Sequence, residues 1–172
     1  RAGGAERILA SSGPSGFAGR LADLGSGAGA AGLAVAARCK NARATLIERS
    51  GFMLNFAHKS VNHPLNTALR DRVEILEADV SLTGKARASA GLIDNSFDYV
   101  IINPPFNEAS DRSTPAPVNA EAHVMPDGLF DQSLRTASAL LRPGGGVSLI
   151  ARPASLAPTL EALDPRFGRL II

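Results

Sequence analysis

Apolar residues fall along this chain in short runs that stop abruptly at a polar residue. Between the runs they recur every three or four positions. The runs are Gly19-Arg20-Leu21-Ala22-Asp23-Leu24, Ala44-Thr45-Leu46-Ile47-Glu48, Arg72 to Asp79, Phe97 to Ile102 and Val147 to Ala151. They are short and rich in β-branched and other apolar residues, as buried strands are. The intervening periodic stretches predict helices over Ala30 to Lys40, Gly51 to about Asn62, Gly128 to Leu141 and Ser155 to Leu163. Ser50 is placed to cap the second helix and Asp127 the third; Pro64 ends the second. Phe52 and Phe56, four apart, read as core packing on one helix face. Strands alternating with helices predict an α/β domain with a parallel sheet.

The remaining stretches are less regular. Ala5 to Ala10 is helix-like, Ser11 to Gly16 is a loop by composition, and Ser81 to Gly91 reads as a loop with a short helix. Arg142-Pro143-Gly144-Gly145-Gly146 is the stop after the third helix, and Gly168 to Ile172 looks like a sixth strand cut by the chain end. Asn107 to Pro126 holds Pro115, Pro117 and Pro126 and is too long for a simple connector. It reads either as a substrate-facing lid or as a disordered segment. His123 within it stands alone, so packing or solvation explains it better than catalysis.

Composition narrows the class. With 172 residues, 45% hydrophobic and 20% charged, the chain fits one soluble globular domain over 1–172. The start at Arg1 lacks a methionine and a secretory apolar core, so truncation at both ends is the expectation. No apolar run approaches the roughly 20 residues needed to cross a bilayer. The single Cys39 excludes an internal disulfide, no Cys/His cluster has metal-ligand spacing, and a cytoplasmic location fits. Net charge is +2, and the lysines are only Lys40, Lys59 and Lys85, so charge gives weak support to a nucleic-acid partner.

The candidate chemistry lies where the strands end. Ligands of open parallel sheets bind at the carboxyl ends of the strands. Four strands carry distinctive polar residues there: Asp23, Glu48, Asp79 and Asn103. The first also runs into a glycine-rich turn, Gly25-Ser26-Gly27-Ala28-Gly29, which permits close backbone approach to a ligand. Gly27, Gly29 and Gly32 satisfy G-x-G-x-x-G, so a nicotinamide dinucleotide is one reading. Asp23 suits a cation or an amino-acid ammonium better than a pyrophosphate. Glu48 is placed for ribose hydroxyls in either case, and Asp79 for the exocyclic amine of an adenine. Asn103-Pro104-Pro105-Phe106 makes a stiff corner, because neither proline donates a ladder hydrogen bond. The Asn103 amide and a proline-region carbonyl offer acceptors to a planar NH2 group, and Phe106 offers a stacking face.

These motifs together resemble the class I S-adenosyl-L-methionine-dependent methyltransferases of the Asn-Pro-Pro-Phe/Tyr group, from about Arg20 to Ile150. The resemblance implies a Rossmann-like fold: a mostly parallel twisted sheet with helices on both faces, here with an incomplete C-terminal strand pair. It implies cofactor binding by Asp23, Gly25, Ser26, Gly27, Gly29, Glu48, Asp79, Val80 and Asn103. It implies catalysis at Asn103, Pro104, Pro105 and Phe106, on a planar nitrogen, with no metal and no membrane. Leu141 to Gly145 resembles the family's turn before its fifth strand.

Within the group the chain is most similar to bacterial tRNA adenine-N6 methyltransferases that modify the anticodon loop of a valine tRNA. Arg1 to Ala10 resembles the end of their N-terminal segment, with Glu6 where an Asp is usual. Ala122-His123 resembles an element of their lid, with Val124 where an acid is usual. The implied partner is RNA, namely tRNA. The alternatives are a protein glutamine-N5 or rRNA guanine-N2 methyltransferase, an NAD-dependent oxidoreductase, and a non-catalytic RNA-binding module.

Overall fold

The computed structural model describes residues 16–104, 128–151 and 153–169. The helix-like piece Ala5 to Ala10, Pro105, Phe106, the 107–126 segment with His123, Asp127 and the last residues of the expected sixth strand lie outside the described residues.

Five strands form one parallel sheet: β1 (Gly19–Leu24), β2 (Ala42–Glu48), β3 (Val73–Glu77), β4 (Phe97–Ile102) and β5 (Leu141–Leu149). Their spatial order is β3-β2-β1-β4-β5. The chain winds outward from β1 to β3, then returns to β1's other edge with β4. The order therefore reverses between β1 and β4, which opens a crevice at the carboxyl ends of those two strands. Register brings Leu24 opposite both Ile47 and Ile102, so β1, β2 and β4 end level with one another.

Neighbouring residues in the strands serve opposite faces. Leu21, Leu46 and Ile101 join one core with Leu33 and Val35 of α1 (Ala30–Arg38) and Ala57 and Val61 of α2 (Gly51–Asn62). Ala22, Ile47 and Ile102 join the other with Leu134, Ala137 and Leu140 of α4 (Leu129–Leu140) and Leu163 of α5 (Leu156–Leu163). A sheet covered on both faces explains why its strands read as continuous apolar runs and not as alternation. The parallel α/β architecture with helices on both faces is as the sequence predicts. A short helix α3 (Gly84–Ser89) lies within the stretch expected to hold one. Among the described residues, no helix is long and apolar enough to cross a membrane.

Several boundaries differ from expectation. α1 stops at Arg38, where Cys39 leaves helical geometry. Pro64 ends α2 but also opens a 3-10 segment, Pro64–Arg72, with His63 Nδ1 accepting from Leu65 N–H at 3.2 Å. α4 is capped by Gly128 at φ 86° with no side-chain cap, so the cap position is one residue later than Asp127. β5 begins at Leu141, and the expected Arg142–Gly146 turn lies inside it. Phe97 pairs with Leu141 while Tyr99 pairs with Gly146, so the surplus residues of β5 loop out as an irregularity. Gly144 at φ 82° makes that bend, and a Cβ at Gly146 would stand 2.5 Å from the Tyr99 ring. A 3-10 turn, Pro153–Ser155, precedes α5, and Gly168 and Arg169 carry no strand. Phe52 and Phe56 are 54% and 42% exposed, which corrects the expectation that they pack in the core. The core face of α2 is instead Leu54, Ala57 and Val61.

Candidate active site at the carboxyl edge of the sheet

β1 runs directly into the glycine-rich turn. Gly25, Gly27 and Gly29 hold φ of 68°, 55° and 83°, a left-handed region that side chains with a Cβ resist. A Cβ at Gly25 would meet nothing within 4 Å, so that position is open as well as bent. The turn is pinned to β2, because Gly25 N–H and Ser26 N–H both donate to the Ile47 carbonyl, at 2.9 and 3.0 Å. Gly29 then caps α1 without a side-chain cap, leaving the first-turn N–H groups of that helix to find other partners. One of them is Gly32 N–H, which donates to Asp23 Oδ2 at 2.8 Å. Asp23 is 2% exposed and faces α1, so its carboxylate locks the strand to the helix N-terminus from inside the protein.

Glu48, the last residue of β2, stands beside the same turn. Its Oε2 accepts from Gly27 N–H at 2.9 Å, and its Oε1 accepts from Arg49 N–H and Ser50 N–H at 2.9 and 2.8 Å. Ser50 Oγ in turn accepts from Met53 N–H and caps α2. Two residues past β3, Asp79 Oδ1 accepts from Ser81 N–H at 2.8 Å, and Oδ2 pairs with Arg49 Nη1 at 3.3 Å. Partial burial pushes the Asp79 carboxyl up, but hydrogen bonds from Ser81 and then Arg49 outweigh it. The group is held below the ordinary carboxylate value. Val80 is half-buried, and its carbonyl accepts from Thr136 Oγ1 at 2.7 Å, tying this loop to α4.

Asn103 follows β4 immediately and is half-buried, and Pro104 behind it is buried. By register Gly25, Glu48 and Asn103 each stand one residue past the level row Leu24, Ile47 and Ile102. These three stand side by side at the carboxyl ends of the neighbouring strands β1, β2 and β4. Asp23 lies one layer inside them, and Asp79 lies at the outer side beyond β2. Two participants had little sequence signal. Arg49 bridges to Asp79 and is visible only as a cation following Glu48. Met53 places its Cε 3.3 Å from where a Cβ at Gly27 would lie, and reads in sequence as one apolar helix residue among several.

The comparisons with known proteins bear on the family and the fold. The Methyltransferase small domain family matches residues 4–170. The chain belongs to that family. It is a methyltransferase, and its cofactor is S-adenosyl-L-methionine, which decides against the nicotinamide reading of Gly27, Gly29 and Gly32. This methyltransferase is 46% identical to a predicted O-methyltransferase from Agrobacterium tumefaciens, with a TM-score of 0.78 over 95% of this chain and 69% of that one. It shares its fold with the precorrin-6y C5,15-methyltransferase of Geobacter metallireducens, at 16% identity and a TM-score of 0.61 over 94% of this chain and 68% of that one. The [4+2]-cyclase SpnF also shares the fold, at 18% identity and a TM-score of 0.64 over 94% of this chain and 56% of that one. A cyclase among these neighbours underlines that chemistry must be argued from the site and not from the fold. No curated protein matches the chain.

The methyltransferase's own residues fit the cofactor. The Ser26 hydroxyl is buried without a hydrogen-bond partner among the described residues. Buried polar groups are rarely left in that state, so a ligand group at the turn would satisfy it. The open space over Gly25 and the acceptor oxygens of Glu48 complete a cradle for a polar, ribose-bearing molecule.

Proposed function

We propose that this methyltransferase methylates the exocyclic N6 amine of an adenine in tRNA, in the single-stranded anticodon loop. The observation that carries the reading is the position of Asn103 and Pro104. They follow β4 directly, at the crevice where the glycine-rich turn and Glu48 converge. In this reading Gly25, Ser26, Gly27, Gly29 and Glu48 hold the cofactor. Asp23 fixes the turn against α1, and Asp79, Val80 and Arg49 form the wall toward β3.

When bound, the cofactor supplies a methyl group already activated on a sulfonium. The protein's task is then mainly positioning. The Asn103 side-chain carbonyl and the Pro104 backbone carbonyl accept the two hydrogens of the target amine. That draws the nitrogen lone pair out of conjugation with the ring and aims it. Phe106, with Pro105 stiffening the corner, stacks on the base, which a single-stranded loop presents at the least unstacking cost. The nitrogen gains the methyl group and loses one proton to solvent, and S-adenosylhomocysteine is released. The cytoplasm, where tRNA is found, is the proposed location.

The Agrobacterium relative is described as a predicted O-methyltransferase, which favours an oxygen acceptor as the second reading. An oxygen nucleophile needs a base to take its proton, and an Asn amide is not one. Nucleoside mass spectrometry of tRNA incubated with the protein and methyl-labelled cofactor tests the proposal. Label in N6-methyladenine is expected. Label in guanine, in a protein glutamine or on an oxygen would replace it. Asn103→Ala should retain S-adenosylhomocysteine binding by calorimetry while methyl transfer falls by roughly 100-fold or more. Unchanged turnover would remove Asn103 from the catalytic role.

A further inference from the structure

α2 carries an aromatic stripe that the core does not use. Phe52, Phe56 and Lys59 follow one another at four and three positions, so at about 100° per residue they share one narrow face. Leu54, Ala57 and Val61 are the buried face of the same helix, on its opposite side. The two rings meet edge-on at a centroid distance of 5.1 Å, and Lys59 Nζ lies 5.5 Å from the Phe56 centroid. Exposed aromatic rings are costly in water, and nothing in the packing of α2 requires them there.

The helix that carries the stripe, and the segment after it as far as Arg70, hold charge of one sign. From Gly51 to Arg70 the chain holds Lys59 and Arg70 and not one Asp or Glu. Neither Lys59 nor Arg70 makes an ion pair among the described residues, and Arg70 Nη2 donates to the Asn62 carbonyl. The stripe also has a definite place. α2 starts three residues after Glu48, and Met53, next to Phe52, packs against the Gly27 turn. The aromatic end of the helix therefore borders the cofactor crevice.

We propose that the Phe52–Phe56–Lys59 face of α2 is the docking surface for the single-stranded RNA that flanks the target nucleotide. Bases stack on the phenyl rings and Lys59 meets the phosphates. Sequence-tolerant single-strand binding is built from this combination of aromatic faces and cations. An acid-free helix face favours a polyanion over a protein surface of mixed charge. The inference rests on the RNA acceptor proposed above, and adds where the strand runs.

The test uses the full chain, an unmodified anticodon stem-loop RNA and fluorescence anisotropy. Alongside it run calorimetry with S-adenosylhomocysteine and sedimentation velocity. Phe52→Ala/Phe56→Ala should weaken RNA binding by roughly 5- to 150-fold, the worth of one stacked base. Cofactor affinity should stay unchanged, since neither ring belongs to the cradle. Lys59→Ala should lower the slope of log K against log salt by about 0.7. Leu65→Ala serves as a control, because Leu65 is 88% exposed but lies off the stripe, and it should change nothing. Wild-type RNA affinity in the double variant overturns the docking surface and leaves the adenine reading standing. A wild-type protein that binds no RNA overturns both. A dimer that falls apart in the double variant while RNA affinity holds assigns the stripe to self-association instead.

Discussion

Glu48 has three of its roughly four lone-pair directions occupied before any ligand arrives. Its backbone donors come from two different elements, Gly27 of the turn and Arg49 and Ser50 at the start of α2. One carboxylate thus sets the distance between turn and helix, and the ribose contact we propose would use its remaining acceptor direction. Glu48→Gln keeps the shape but turns an NH2 group toward a backbone N–H. That donor-to-donor conflict costs about 1–3 kcal/mol when buried. We expect weaker S-adenosylhomocysteine binding by calorimetry together with a lower Tm. A fall in Tm with unaltered affinity would restrict Glu48 to architecture. From sequence alone Glu48 was readable as a ribose acceptor; its backbone contacts were not, because they depend on how the Gly25–Gly29 turn folds back over β2.

At the scale of elements, Gly32 shows why the glycine pattern alone left two cofactors open. A Cβ there would overlap Leu46 Cδ2 and come within 3.0 Å of Asp23 Oδ2. Gly32 is therefore demanded by the packing of α1 on β1 and β2, whatever lies in the crevice. Close helix–strand approach is common to nucleotide-binding α/β folds, so the motif reports the packing and not the ligand. Gly32→Ala should destabilise the protein by about 1–3 kcal/mol, the usual range for overpacking. Chemical denaturation would measure it, and a neutral result would mean that α1 slides freely.

The elements themselves were legible where burial dictated the pattern. β1 to β4 and the helices α1, α2 and α4 follow from apolar runs and helical periodicity. Three features escaped. β5 absorbs a Pro-Gly-Gly-Gly stretch because the bulge opposite Asp98 accommodates it, and Pro and Gly signal turns in isolation. The 3-10 segment after Pro64 has no periodic signature. Phe52 and Phe56 escaped for a different reason: i, i+4 spacing shows that two rings share a face, but not whether that face points inward.

At the scale of the whole molecule, the edge of the sheet opposite the site is held by one carboxylate. Asp98 of β4 accepts from Arg20 N–H of β1 at 2.7 Å through Oδ2 and from Arg142 Nη1 of β5 at 2.7 Å through Oδ1. It thereby couples the two strands that flank β4, the strand that presents Asn103 at its far end. The Arg20 backbone hydrogen bond lowers the Asp98 carboxyl below its ordinary 3.8; slight burial opposes this, and the Arg142 guanidinium reinforces it. A carboxylate depressed in the folded state binds fewer protons there than in the unfolded chain. Its contribution to stability is complete above the unfolded value near 3.8 and is lost as pH falls through the lower folded value. Asp79 shifts in the same direction, so the two act together in acid. Thermal denaturation followed from pH 7 down to about pH 3 should therefore show Tm falling steeply only at the acid end. Asp98→Asn should lower Tm at pH 7 and flatten that acid limb. It should leave S-adenosylhomocysteine affinity intact, because Asp98 lies at the amino edge of the sheet. Asp79→Asn should flatten part of the same limb but also disturb the cofactor side through Arg49. An acid limb unaltered by both substitutions would mean that other carboxylates govern acid unfolding, and that the sheet does not depend on the Asp98 clasp.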